Sequence, residues 1–183
     1  MDNIDKETEI LEWIRNKETM KKGVSLLIEV YQMPLYWHIR KILVCHDDSR
    51  DVLQEVFIRV WRKIDQFKGD SNLFTWLYRI ATNESLRFLE KKQKNIADKM
   101  SIQEMLEYEL EASPFISGEE IQIVLQKAIL KLTDKQRLVF NMRYFDALDY
   151  SDIAAILETT VNNVKVLYHN AKNSIEDLIE REL

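Results

Sequence analysis

An all-α fold, made of two small helical domains joined by an acidic linker, is what this sequence predicts. Three observations carry the prediction. Only three Gly and two Pro occur in 183 residues, too few for the frequent turns of an all-β chain. Apolar residues recur at helical rather than alternating spacing along almost the whole chain. Charge is also unevenly placed. Residues 1–95 hold 17 Lys+Arg and 15 Asp+Glu, residues 96–120 hold one Lys and seven acids, and residues 121–183 hold eight and nine. The acidic stretch carries Ser113-Pro114 and Ser117-Gly118, the clearest turn signals in the chain. The domains are therefore drawn at 1–95 and 121–183, with 96–120 as a linker containing a short helix near 102–110. A hydrophobic content of 46% is enough to build buried cores.

Element by element, Ile10, Leu11 and Ile14 form the stripe of a first helix, which Lys21-Lys22-Gly23 is expected to end. A second helix runs from a Ser25 cap to Leu43 and bends at Pro34, whose ring removes a backbone hydrogen bond. After Cys45-His46-Asp47-Asp48, a third spans Ser49 to about Asp65. Val52, Leu53, Val56, Phe57, Val60, Trp61 and Ile64 share its core face. Asp48, Asp51, Gln54 and Glu55 gather opposite, with Ile58 beside them. Asp51 and Glu55 are like charges one turn apart, which costs a few tenths of a kcal/mol, on the order of 0.3. Either this is a solvated face relieved by Arg59, or it docks a basic partner.

The loop 66–71 leads into a helix capped by Ser71 or Asn72 that continues into the nineties. Leu73, Phe74, Leu77, Ala81 and Phe88 face inward. Trp76, Arg79, Asn83 and Arg87 lie opposite, within a stretch (59–94) of nine basic and four acidic side chains. Aromatic, guanidinium and amide groups together suit stacked bases and phosphates; a packed Trp among solvated arginines gives the same pattern. Lys91-Lys92-Gln93-Lys94 extends the basic end and suits the negative end of the helix dipole.

In the second domain, residues 121–144 supply one or two helices with a stop-and-cap at Thr133-Asp134. Residues 150–167 then fit a helix-turn-helix. Ile153 and Leu157 bury its first helix, and the small Ala154 permits close crossing. Val164, Leu167 and Ala171 bury the second, which Thr160 caps. Glu158 stands in the turn where Gly is common, at about 1 kcal/mol if it turns left-handed. Asn162, Asn163, Lys165, Val166, His169 and Asn173 complete an outward face whose residue types can read bases: Asn pairs with adenine, Lys reaches guanine or phosphate, and Val meets a thymine methyl. The face is short of Arg, so this domain alone should bind DNA weakly.

Other chemistries find no support. One Cys excludes an internal disulfide, and His38, His46 and His169 lack zinc-ligand spacing. No cluster has catalytic spacing, so no enzyme activity, cofactor, metal or small-molecule substrate is expected. Cys45, beside a helix end, reads as structural rather than redox-active. No run of 18 apolar residues occurs and Met1 to Lys6 is no signal peptide, so a cytoplasmic protein is expected.

Three motifs, Asp51-Val52-Leu53-Gln54-Glu55-Val56-Phe57, Thr75-Trp76-Leu77-Tyr78-Arg79-Ile80-Ala81-Thr82-Asn83 and the helix-turn-helix, together resemble the extracytoplasmic-function sigma factors, initiation subunits of bacterial RNA polymerase. The resemblance covers roughly 25–94 and 122–180 in the family's order. It implies that Asp48, Asp51, Gln54 and Glu55 dock on core RNA polymerase. It implies that Phe67, Lys68, Ser71, Asn72, Trp76, Arg79, Asn83 and Arg87 open the minus-ten promoter element. Thr160, Asn162, Asn163, Lys165, Val166, His169 and Asn173 would read the minus-thirty-five element. The acidic linker would follow the RNA exit path, and an anti-sigma factor, often membrane-bound in this family, would be a further partner. Ala147 and Glu158 replace frequent glycines, and Leu167 and Asn170 frequent arginines, so upstream base preferences do not transfer. Residues 1–22 carry no family signature. Two rival readings are a freestanding helix-turn-helix regulator acting without polymerase and a helical protein-interaction module. The first leaves the Asp51 patch and the Trp76 face without a use.

The formal net charge of −5 argues at first against a nucleic-acid protein. It reflects the linker, not residues 59–94.

Overall fold

The structure, a computed structural model, describes residues 3–67, 69, 71–95, 102–111 and 120–182. Among these residues there are nine α-helices and no strand. In order they are α1 (Asn3–Arg15), α2 (Met20–Leu43), α3 (His46–Lys63), α4 (Leu73–Asn95), α5 (Ile102–Glu111), α6 (Glu120–Leu130), α7 (Asp134–Tyr144), α8 (Tyr150–Ile156) and α9 (Val161–Glu182). A single 3-10 turn, Ile64–Gln66, follows α3.

Lys21-Lys22-Gly23 does not end the first helix. The chain turns earlier, where the Thr19 and Met20 N–H groups donate to the Asn16 carbonyl at 3.1 and 2.8 Å. The two lysines and Gly23 stand inside α2, and Gly23 is buried because α1 crosses there. A Cβ at Gly23 would lie 2.8 Å from Ile14 Cγ1 and 2.9 Å from the Ile14 backbone nitrogen. The glycine is a crossing point rather than a breaker. Ser25 is likewise no cap; its hydroxyl donates to the Lys21 carbonyl at 3.0 Å within α2.

Helix α2 packs against α1, α3 and α4 through Leu27, Leu35, Ile39 and Ile42, all buried. It stops at Val44, whose φ of +63° is a steric outlier for a β-branched residue. Helix α3 starts at once, three residues earlier than the sequence pattern placed it. Its buried stripe is Ser49, Val52, Val56 and Val60. Trp61, assigned to the core, is 45% exposed: it stands one residue, about 100°, beyond Val60 and so at the margin of that stripe.

Two oxygens satisfy the open start of α4. Asn72 Oδ1 accepts from the Thr75 N–H and Glu7 Oε1 of α1 accepts from the Leu73 N–H, both at 2.7 Å. Asn72 rather than Ser71 is thus the cap, and the Glu7 carboxylate complements the positive end of the helix. Tyr31 also faces Glu7; burial first, then the Glu7 charge and hydrogen bond, push its hydroxyl up to about 12.

The helix in the acidic stretch is α5, which buries Leu106 and Leu110 between α4 and α6. Thr133 and Gln136 form a reciprocal capping box on α7. Ala128, Ile129, Leu132, Phe140, Ala171 and Ile175 make a small core of α6, α7 and α9. The other buried apolar residues of the second unit, including Leu138, Met142, Ile153 and Val164, continue into the core of α1–α4. Helix α7 rests on α2 and α8 on α4, so the two halves lie packed together.

Candidate polymerase and nucleic-acid interfaces

Three of the four α3 residues assigned to docking share one open face. Asp51, Gln54 and Glu55 are exposed, and Ile58 and Trp61 continue that face, 43% and 45% exposed. Arg59 does not relieve Glu55; it turns to α4 and pairs with Glu84 at 3.0 Å. Asp48 leaves the group, since it accepts from Lys92 Nζ at 2.6 Å and ties the start of α3 to the basic end of α4.

The α4 face is less open than its spacing implies. Trp76 is half-buried, its ring centroid 5.4 Å from that of Phe67. Asn83 and Arg87 are exposed, and Arg87 shares Glu84 with Arg59, at 3.0 Å. Ser71 is half-buried, and the Asn72 side chain is spent on the cap. Lys68 lies outside the described residues. Arg79 corrects the expectation of an outward, solvent-facing guanidinium. Its Nη2 donates to the Ala155 carbonyl at 2.8 Å, and its Nη1 lies 3.4 Å from Glu158 Oε1. Helix α8 packs on α4 there, which periodicity along one helix cannot reveal.

The α9 face is open. Asn162, Asn163, Lys165, Val166, His169 and Asn173 are exposed, while Val164 and Ala171 are buried beneath. Thr160 caps the helix, accepting from the Asn163 N–H at 3.2 Å. The Asn163 amide donates to Thr159 Oγ1 at 3.0 Å, and Asn173 Nδ2 lies 3.2 Å from His169 Nε2. Lys165 Nζ stands 5.9 Å from the Tyr150 ring centroid, within cation–π range. The turn before α9 does use a left-handed residue: Glu158 has φ +52°, and Ala147 before α8 has φ +54°.

One buried polar group had no signal in the sequence pattern. Asp146, between α7 and α8, pairs with Lys41 Nζ and lies 3.2 Å from His38 Nδ1. His38 Nε2 in turn is 2.9 Å from Thr82 Oγ1. Burial pushes the Asp146 carboxyl up, but the hydrogen bond and charge of His38 and then those of Lys41 outweigh it, leaving it below the ordinary carboxylate range. The neighbouring Tyr78 hydroxyl is pushed well up, by burial and then by the Asp146 charge. Lys41 and Asp146 are 105 residues apart, beyond the reach of any spacing rule.

Comparison with known proteins matches two parts of the chain. The family profile described as Sigma-70 region 2 matches residues 27–95, and that described as Sigma-70, region 4 matches 122–175. Together they cover about two thirds of the chain. The ECF RNA polymerase sigma-E factor of Escherichia coli (strain K12) is 29% identical over 177 residues, covering 87% of this chain and 88% of that protein. This chain belongs to the extracytoplasmic-function sigma factors. The RNA polymerase sigma-H factor of Pseudomonas aeruginosa is 27% identical over 169 residues, with 87% and 88% covered. Among solved structures, the sigma factor RpoE in complex with the anti-sigma factor NepR from Bartonella quintana has a TM-score of 0.68 at 21% identity, covering 87% of this chain and 98% of that one. CnrH in complex with the cytosolic domain of CnrY has a TM-score of 0.69 at 17% identity, with 98% and 97% covered.

The chain is therefore an alternative sigma factor that works with RNA polymerase. A freestanding helix-turn-helix regulator is not favoured, because it accounts only for the second of the two matched regions. Sigma factors are transcription regulators. Among the described residues no helix is long and apolar enough to cross a membrane, and no group of His, Cys, Asp and Glu is arranged to hold a metal ion.

Proposed function

We propose that this sigma factor docks on core RNA polymerase through Asp51, Gln54 and Glu55, and reads and melts its promoter with α4 and α9. The observation that carries the docking role is the open α3 face. Three exposed polar residues, two of them carboxylates, sit beside exposed Ile58 and Trp61, so acidic and apolar contacts are offered together. Such a mixed patch fits a basic helical partner with an apolar seam. Asp48 acts in this reading as a brace for α4 through Lys92, not as a direct contact.

The Phe67–Trp76 pair offers a stacking surface for an unstacked base, with Asn83 and Arg87 beyond it. Arg79 joins them once α8 has moved away. The α9 residues Asn162, Lys165, Val166 and His169 face the upstream duplex element, and Thr160 and Asn163 set the start of that helix. In this reading residues 1–95 and 121–183 act as separate units with 96–120 between them. The chain supplies no catalytic group, since polymerisation belongs to the core enzyme, and it works in the cytoplasm. Both solved neighbours are sigma factors captured with an anti-sigma factor, which supports a partner of that kind here.

The docking role is tested by Asp51→Arg with Glu55→Arg. Both positions are exposed, so helicity by circular dichroism should stay unchanged while core affinity falls at least tenfold. Unchanged affinity in the folded double variant would remove α3 from the docking surface.

A further inference from the structure

We infer that Glu7 of α1 is a positioning residue for promoter opening: its carboxylate, held between α2 and the first N–H of α4, fixes where the Phe67–Trp76 surface stands. The inference rests on the proposed role of that surface in capturing an unstacked base.

Glu7 precedes Ile10 and Ile14 by three and seven residues, so it stands on the stripe by which α1 packs inward. Ile10 and Ile14 are buried, and the close crossing of Ile14 over Gly23 fixes the helix against α2. The carboxylate is thereby carried about 10 Å, or two turns, beyond the crossing. Two partners hold it there. Glu7 Oε1 accepts from the Leu73 N–H at 2.7 Å, and the Tyr31 hydroxyl of α2 donates to the same carboxylate. Tyr31 and Leu73 are both buried, so Glu7 is clamped between two helices whose own positions are set by the core.

This clamp controls the connection between α3 and α4. Helix α1 also packs against the 3-10 turn Ile64–Gln66, so it grips the chain immediately before Phe67 and again at Leu73. Phe67 precedes that second grip and Trp76, in the first turn of α4, follows it; their ring centroids lie 5.4 Å apart. Asn72 caps α4 from within the connection, whereas Glu7 reaches it from 66 residues away and ties the helix start to the rest of the first unit. Without Glu7 a partly buried N–H loses its acceptor. The first turn of α4 then loosens, and Trp76 is no longer held against Phe67. Helix α1 lies before the matched region 27–95, so the brace comes from a part of the chain that carries no family signature.

Holoenzyme reconstituted from the full chain and core polymerase tests this on a duplex fragment carrying a start site mapped with that holoenzyme. Opening is read by permanganate reactivity of unpaired thymines. Glu7→Leu removes the acceptor and should lower opening about fivefold or more, with core affinity within about twofold of the wild type and faster hydrogen exchange at the Leu73 N–H. Glu7→Gln keeps an oxygen that accepts from Leu73 and should restore more than half of the opening. Should Glu7→Leu lose helicity by circular dichroism, Tyr31→Phe keeps the buried ring and releases the carboxylate from its second partner. It should lower opening about twofold or more, again with core affinity kept. Normal opening by the folded variant, core affinity falling in step with opening, or Glu7→Gln as impaired as Glu7→Leu would each overturn the inference. Failure of the stacking reading shows separately, as normal opening by Trp76→Ala, which leaves both Glu7 contacts in place.

Discussion

Side chains that turn left-handed without glycine show how far single residues can be read. The sequence lacks the usual glycines at 147 and 158, and both positions nevertheless have positive φ, +54° and +52°. Ala147 is exposed, so nothing is lost from the core if its methyl goes. Relief of left-handed strain, about 1 kcal/mol, exceeds the added chain entropy of glycine by a small margin. Ala147→Gly should therefore stabilise the protein by about 0.5 kcal/mol, seen as a higher urea midpoint at unchanged m-value. A lower midpoint would mean that Ala147 is not strained. Glu158→Gly is a poorer test, because it also deletes the Arg79 ion pair. Asp146, His38 and Thr82 lay beyond sequence reasoning: each is unremarkable among its neighbours in the chain, and their meaning arises only when α2, α4 and the α7–α8 loop meet.

At the scale of elements, periodicity recovered the helices that pack by one stripe and failed where a neighbour imposes the geometry. Helix α9 is the favourable case, with Val164 and Ala171 inward and the candidate reading residues outward. Helix α3 packs a narrower core than its apolar spacing implies: Trp61 lies outside it, because α2 and α4 cover the sector around Val56. Gly23 departs from the pattern for the same reason. A glycine among lysines looks like a helix end, whereas it marks the place where α1 crosses α2. That crossing gives α1 a function absent from its sequence, because Glu7 is thereby held at the start of α4. Gly23→Ala should gain about 1 kcal/mol in helix propensity but lose about 1–3 kcal/mol to the clash with the Ile14 backbone. The expected net loss is about 1 kcal/mol, with faster hydrogen exchange concentrated in α1 and at Leu73. A stabilised variant with α1 still protected would show that the two helices do not cross as closely as described.

For the whole molecule, the charge balance and the division into two helical units were legible early, because acidic residues crowd into 96–120 and helical stripes fill both sides. The arrangement of the units was not. Their contact depends on pairs such as Lys41 with Asp146 and Arg79 with Ala155, which no repeat or motif announces. This is also why the weak basic character of α9 is consistent with a sigma factor. A reader delivered by polymerase does not need the dense cationic face that a freestanding DNA-binding protein uses. The central claim, that this chain is a sigma factor that selects promoters in partnership with polymerase, is tested most directly by adding it to core RNA polymerase with fragments of its own genome and mapping the transcripts. The account predicts discrete start sites that appear only when chain and core are both present, with little retention of the same fragments by the chain alone. No new start sites, together with tight site-specific DNA binding by the chain without polymerase, would contradict it.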